Sequence, residues 1–392
     1  MVEWKKLGEV CDFQNGFAFK SNLFKEYGTP VVRITNIMSN RVDLTDCKYF
    51  DLGDYCKNNL ISFQVCFGDV VLAMSGATTG KIGIYKEKQK AYINQRVGKF
   101  IPHTAKLCNG FLYHYLLSQT NKMYIMAGGG AQPNLSSNKL MEELLIPIPS
   151  LSEQNRIVGI LDTFTDSIEN LKQQIAQRRK QYEFYRDQLL DLEGKEGVEM
   201  KTLIDLFSFK NGLNKGKEFF GEGRSIIMFS NVFNSRYIDS SIINSKVNIT
   251  DKELERIDAK YGDVFFTRTS ETKEDVGYAS VLLEDVGECT FAGFLIRARP
   301  LTNLLEPSYC KYCFSTPSIR RMIVENSSFT TRASLTGSGL GKIRIPVPPL
   351  SEQQRIVSIL DAFEASISNL EAQLAQRQKQ YEYYRNKLLT FE

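Results

Sequence analysis

The chain has 392 residues, 42% hydrophobic and 24% charged, with a net charge of +4, a balance that excludes a disordered or fibrous protein. No run approaches about 18 consecutive apolar residues, which excludes a membrane-spanning helix, and the opening MVEWKKLGEV lacks the apolar core of an export signal. The 8 cysteines are irregularly spaced in a chain large enough to fold without staples, so they read as reduced thiols of a cytoplasmic protein.

The first 145 residues carry short β-branched runs with Gly- and Asn-containing turns between them. VVRITNI (31–37), DVVLAM (69–74) and KIGIY (81–85) read as strands, and FLYHYLLSQTNKMYIM (111–126) as short helical stretches. At residue 146 the pattern changes. Pro147 and Pro149 stop any helix upstream. Ser152 with Asn155 three residues later predicts an N-cap. Apolar positions then recur in steps of four and three: Ile157, Leu161, Phe164, Ile168, Leu171, Ile175, Arg178, Tyr182, Tyr185, Leu189 and Leu192. This is a heptad. Roughly 40 residues of helix span about 60 Å, too long to be buried in a small domain, so the stripe needs another helix.

Gly194-Lys195-Glu196-Gly197 leads into a second set of strand-like runs, RSIIMF (224–229), DVFFT (263–267) and SVLL (280–283), and a helical stretch, PSYCKYCFSTPSIRRMIV (307–324). Pro346, Pro348 and Pro349, then Ser351 with Gln354 in a capping-box pattern, open a second long helix. Its register is Ile356, Leu360, Phe363, Ile367, Leu370, Leu374, Arg377, Tyr381, Tyr384, Leu388 and Phe391.

Residues 146–193 and 345–392 are a repeat, with about 31 of 48 aligned positions identical and no gap. Both copies place an arginine, Arg178 or Arg377, at the same core position, where a charge costs stability and sets register. Connectivity makes the pairing antiparallel, because the second head leaves one end of the first helix and returns the chain along it. The fold class is therefore α+β: two globular domains separated by a long antiparallel two-helix coiled coil, pseudo-two-fold symmetric. The segments are head 1 (1–145), spacer helix 1 (146–193), head 2 (194–344) and spacer helix 2 (345–392). The heads share fainter landmarks. Phe13-Gln14-Asn15-Gly16 matches Phe209-Lys210-Asn211-Gly212, VVRITNI matches IIMFSNV (226–232), and Gly68-Asp69-Val70 matches Gly262-Asp263-Val264. One scaffold is used twice with two different surfaces.

The helices carry a summed charge of about −3, which leaves about +7 on the heads and linkers, where a nucleic-acid surface would need it. Catalytic signatures are missing. The two histidines, His103 and His114, have no counterparts in the second head. Cys310 and Cys313 form a lone C-x-x-C without the second pair of a zinc site. SGATTGKIG falls short of a phosphate loop, with Ile82 where a magnesium-binding hydroxyl belongs. Asp263 with Glu271 and Lys273 mimics a nuclease cluster that head 1 does not repeat.

The doubled I-P-x-P-x-L-S-E-Q-x-R-I-V-x-I-L-D segments, each followed by a Gln/Arg/Tyr-rich heptad helix, with two divergent heads, resemble the specificity (S) subunit of Type I restriction-modification enzymes across essentially the whole chain. The resemblance implies that each head is a target-recognition domain reading one half of a bipartite site in double-stranded DNA. It implies that the helices act as a ruler and dock two methyltransferase (M) subunits, with restriction (R) subunits joining for cleavage. No cofactor is expected in this chain; S-adenosylmethionine, ATP and magnesium would belong to the partners. No membrane is involved. The residues alone also admit a self-contained DNA-modifying or DNA-cleaving enzyme, or a coiled-coil scaffold that binds no DNA.

The DNA contacts expected in head 1 are Thr78, Thr79 and Lys81 in the Ser75–Lys81 loop, Asn94, Gln95 and Arg96, and Gln132 and Asn134. In head 2 they are Arg268, Thr269, Ser270 and Lys273, with Thr331 and Arg332 before the final strand. Lys and Thr would mainly touch phosphates, while Gln, Asn and Arg would mainly read base edges. Gln154, Arg156, Gln353 and Arg355, recurrent at the helix starts, are expected on an exposed face as the M-subunit surface.

Overall fold

The computed structural model describes residues 2–38, 40–129 and 133–391, which form two compact units. Unit 1 is Met1–Gln173 with Glu371–Glu392, and unit 2 is Gln174–Leu370. The division falls inside both long helices, Leu151–Leu190 and Leu350–Leu389. Each unit thus holds one head, the start of one helix and the end of the other.

In unit 1 an antiparallel sheet has the order Cys11–Asn15, Val97–Pro102, Val70–Ala73, Ile82–Ile84. A second sheet has the order Lys48–Phe50, Thr29–Val32, Ala91–Ile93, Gln64–Val65. Helices Asn109–Ser118 and Thr120–Met126 follow, within the stretch predicted to be helical. The core gathers Val70 and Leu72 from the sheet, Phe111, Leu112 and Leu116 from the first of these helices, and Ile157, Leu161 and Leu389 from the long helices.

Unit 2 repeats the plan. Its main sheet has the order Phe207–Asn211, Leu295–Pro300, Val264–Thr267, Ala279–Leu282, Tyr237–Ile238. A smaller sheet holds Ser245–Val247, Phe220–Ile227 and Cys289–Phe291, and helices Pro307–Cys313 and Pro317–Glu325 close the unit. The run 31–37 is strand only to Val32 and then a 3-10 turn, Ile34–Asn36, pinned by the Asn36 side chain on the Asp43 and Asp46 carbonyls.

The proline-containing stretches grouped with the helices by the repeat are strands. Leu145–Ile148 pairs antiparallel with Glu3–Lys6, and Arg344–Val347 with Glu199–Thr202. Two-stranded ribbons tolerate proline because one side of each strand needs no donor. The helices consequently start earlier than the predicted caps. Ser150, not Ser152, receives the Glu153 N–H on its Oγ at 3.3 Å. In the second copy the Pro349 carbonyl receives the Glu352 and Gln353 N–H groups, so Ser351 lies inside the helix.

The heptad stripes do meet, antiparallel, within each unit. In unit 1 Phe164 stacks on Tyr384 at 5.2 Å and the Arg377 guanidinium lies 5.7 Å from the Phe164 ring centre. In unit 2 Tyr185 stacks on Phe363 at 5.5 Å and Arg178 lies 5.8 Å from that ring. The core arginines therefore sit on a phenyl face of the opposite helix. This offsets part of their burial cost and fixes the same register twice.

Unit 2 also carries a part-buried ion network on its main sheet. Arg299 holds Asp263 at 2.7 Å and Asp258 at 2.9 Å, and Arg297 holds Asp258 at 2.8 Å. Burial raises the Asp258 carboxyl, but Lys260 and Arg299 outweigh it and leave the group below the ordinary carboxylate range. A depressed folded pKa gives stability that is present above the ordinary value and lost as pH falls through the depressed one. Acid unfolding of unit 2 should therefore steepen below the ordinary carboxylate range, and Asp258→Asn should flatten that limb while lowering stability at neutral pH. Hydrogen exchange of Val264–Thr267 against pH checks this; an unchanged acid limb in the variant would refute it.

Candidate nucleic-acid interface

Three segments distant in sequence converge in unit 1. Strand Val70–Ala73 runs into the loop from Met74 to Lys81. The Met74 N–H donates to the Arg96 carbonyl at 2.9 Å, tying the loop to the turn 94–96. The Leu135 N–H reaches the Met74 carbonyl at 2.8 Å and the Gly76 N–H the Pro133 carbonyl at 3.1 Å, while Ser75 bridges Asn134. Gln95, Arg96 and Asn134 are exposed, and Asn94 and Thr78 half-buried. Gln132 lies outside the described residues.

One expectation needs correction here. Thr79 is buried, and its hydroxyl is spent on the Gly76 carbonyl at 2.7 Å and the Pro133 carbonyl at 3.1 Å. It stitches the loop and cannot serve a phosphate. Lys81, at the base of the loop, lines a cleft with Leu117, Thr120, Ile168, Tyr381 and Arg385 beside the long helices. Among the described residues, Ser75 Oγ and Thr78 Oγ1 are buried without a hydrogen-bond partner.

Unit 2 builds the same junction from other side chains. The Arg268 N–H donates to the Phe294 carbonyl at 2.8 Å, and the Leu335 N–H to the Arg268 carbonyl at 2.8 Å. Thr269 and Ser270 pair with Ser334 and Ala333, which pair in turn with Ser328–Phe329. Lys273, Thr331 and Arg332 are exposed, while Arg268, Thr269 and Ser270 are half-buried. Among the described residues, Arg332 alone of Lys81, Arg96, Arg268, Lys273 and Arg332 makes an ion pair, with Glu271 at 4.0 Å. Most cations of the two junctions thus make no ion pair among the described residues.

Each junction is backed by a glycine. A Cβ on Gly16 would stand 2.1 Å from the Asn94 carbonyl oxygen, and one on Gly212 would stand 2.1 Å from that of Ala292. This explains the Asn-Gly landmark: only glycine lets the strand end cross so close behind the turn.

The helix starts hold the other correction. Gln154 and Gln353 are fully buried rather than on an exposed face. Gln154 donates to the Lys106 and Pro149 carbonyls at 2.9 Å and accepts the Cys108 N–H at 2.8 Å. Gln353 does the same with Leu304, Pro348 and Glu306, each at 2.8 Å. They anchor each head to its helix. The Asp of the same motif completes the anchor, with Asp162 on buried His114 at 2.8 Å and Asp361 on Lys311 at 2.8 Å. Neither role was visible in the sequence, although recurrence of both residues in the two copies was a signal. Arg156 and Arg355 are exposed, each forked on the glutamate three residues earlier, Glu153 or Glu352. Those arginines hold both carboxyls below their usual range.

Among the described residues no helix is long and apolar enough to cross a membrane, and no His/Cys/Asp/Glu group could hold a metal ion.

Comparison with known proteins gives one consistent answer. The family model described as "Type I restriction modification DNA specificity domain" matches residues 1–178 and again 195–378. The chain is 28% identical over 409 residues to the Type I restriction enzyme EcoR124I/EcoR124II specificity subunit of Escherichia coli, covering 100% of this chain and 94% of that protein. It is 26% identical over 374 residues to the EcoKI specificity subunit of Escherichia coli strain K12, covering 90% and 79%. The crystal structure of the S subunit of a Type I system from M. genitalium has the same fold, with a TM-score of 0.61 at 16% identity over 100% of this chain and 97% of that one. One head plan used twice, one buried anchor used twice and one family model matched twice agree, and the chain belongs to the Type I restriction modification DNA specificity family.

Proposed function

We propose that this chain is the sequence-reading subunit of a Type I restriction-modification complex, with each unit reading one half of a bipartite site in double-stranded DNA. One observation carries the reading. The same three-segment junction, held by matching backbone hydrogen bonds, presents Gln95, Arg96 and Asn134 in unit 1 but Arg268, Thr269 and Arg332 in unit 2. A shared frame with unlike side chains is what two unlike half-sites require. Arg, Gln and Asn match the edges of guanine and adenine, while exposed Lys and Thr reach phosphates.

In this reading the chain works in the cytoplasm and is itself not catalytic. S-adenosylmethionine, ATP and magnesium are used by partner methyltransferase and restriction subunits. Two methyltransferase subunits dock on the exposed helix faces, where Arg156 and Arg355 recur. Mapping methylated bases in a genome with and without this gene tests the proposal. One bipartite motif should lose its methylation on deletion. An unchanged methylation map, or turnover by the lone chain with DNA, magnesium and S-adenosylmethionine, would overturn it.

A further inference from the structure

The turns at the centre of the two junctions are equivalent atom for atom along the backbone. The Asn94 N–H donates to the Val32 carbonyl and the Ala292 N–H to that of Ile227, both at 2.9 Å. The Val97 N–H returns to the Asn94 carbonyl at 2.7 Å and the Leu295 N–H to that of Ala292 at 3.0 Å. The Phe17 N–H meets the Ile93 carbonyl at 2.9 Å and the Leu213 N–H that of Phe291 at 2.8 Å. Arg96 and Phe294 therefore occupy the same station, each giving its carbonyl to the residue that opens the neighbouring loop, Met74 or Arg268. Both side chains point to solvent, and Phe294 is 62% exposed.

A guanidinium and a phenyl ring at one fixed station cannot read the same base. Arginine matches the two acceptors of guanine in the major groove, whereas an apolar side chain matches the methyl group of thymine. The station is rigid, because Gly16 and Gly212 let the strand end press against the back of each turn. It is not an isolated exposed phenylalanine: its carbonyl takes the Arg268 N–H, and the hairpin that pairs with Thr269 and Ser270 carries Phe329, 53% exposed.

Building on the DNA-reading role proposed above, we infer that Phe294 is a specificity-determining residue that contacts a thymine methyl in the half-site of unit 2, at the station where Arg96 reads a guanine in the half-site of unit 1.

The test uses the assembled complex and duplexes carrying the mapped site, with each thymine of the second half-site replaced in turn by deoxyuridine. One replacement should weaken binding by the unaltered complex about fourfold, the worth of one buried methyl group. Phe294→Ala should bind thymine and uracil duplexes alike, and Phe294→Leu should keep part of the preference. Arg96→Ala should relax one G·C position of the first half-site and leave the uracil response intact. A second half-site without a uracil-sensitive thymine, or full sensitivity retained in Phe294→Ala, overturns this inference alone. Equal losses on both duplexes in Phe294→Ala would also overturn it, since the ring would then act as a wedge or a support. An unchanged methylation map on gene deletion is a different result and overturns the DNA-reading role itself.

Discussion

Gln353→Ala should cost unit 2 about 3–5 kcal/mol. The substitution strands the buried Pro348 carbonyl and leaves the part-buried Glu306 N–H and Leu304 carbonyl without their partner, and an unsatisfied group costs about 1–3 kcal/mol when fully buried. A cavity adds to this, because Gln353 is fully buried. Gln353→Glu separates the two contributions. It keeps the volume and the acceptor for Glu306 but cannot donate to either carbonyl, and it places a carboxylate out of water. It should be no better than alanine. The readout is hydrogen-exchange protection of Pro307–Cys313, the helix that follows the anchor. Protection unchanged to within about 0.5 kcal/mol, the range of an ordinary surface substitution, would show that the anchor is dispensable.

Gly212→Ala should abolish recognition of one half-site without touching a reading residue. The added methyl would sit 2.1 Å from the Ala292 oxygen and 2.6 Å from the Phe291 oxygen. Both are backbone atoms and cannot swing away, so the turn carrying Phe294 must move. Overpacking of this kind costs about 1–3 kcal/mol of stability. The functional effect is larger. Each misread base pair costs about 1–3 kcal/mol, so a displaced turn that spoils two or more contacts should cut binding to the full site about thirtyfold or more. Gly16→Ala should do the same to the other half-site, through Asn94. Binding competition between intact sites and sites scrambled in one half checks both. If the Gly212 variant still discriminates the second half-site, the turn is not part of the reading surface.

Much of the architecture was legible because its signals are local and long. A four-three apolar rhythm sustained over about 40 residues has few other physical meanings, and duplication supplied an internal control. The cores bear this out: Ile157, Leu161, Ile356 and Leu360 are buried. What stayed hidden were interactions whose partners are backbone atoms. Gln154 looks like any polar helix residue because the Lys106 and Pro149 carbonyls that satisfy it carry no side-chain signature. Thr79 failed as a contact for the same reason, its hydroxyl being taken by the Gly76 and Pro133 carbonyls. Phe294 carries no signal in the sequence, because phenylalanine reads by default as core; its exposure and its equivalence to Arg96 mark it. The Asn-Gly landmark is visible in the sequence, but its meaning, a strand crossing against a carbonyl, requires the fold.

The make-up of unit 1 has a bearing on how the protein comes off the ribosome. Unit 2 is one unbroken stretch, Gln174–Leu370, and can close as soon as it emerges. Unit 1 is completed by Glu371–Glu392: Tyr381 meets His114 at 3.3 Å, and the Phe391 ring lies 6.3 Å from that of Phe111. At roughly 5–20 residues per second of synthesis, its apolar strip waits on the order of 10–40 s for those last turns. The half that is translated first is the half that matures last, and a frameshift upstream of 371–392 would injure the reader built mostly from residues 1–173.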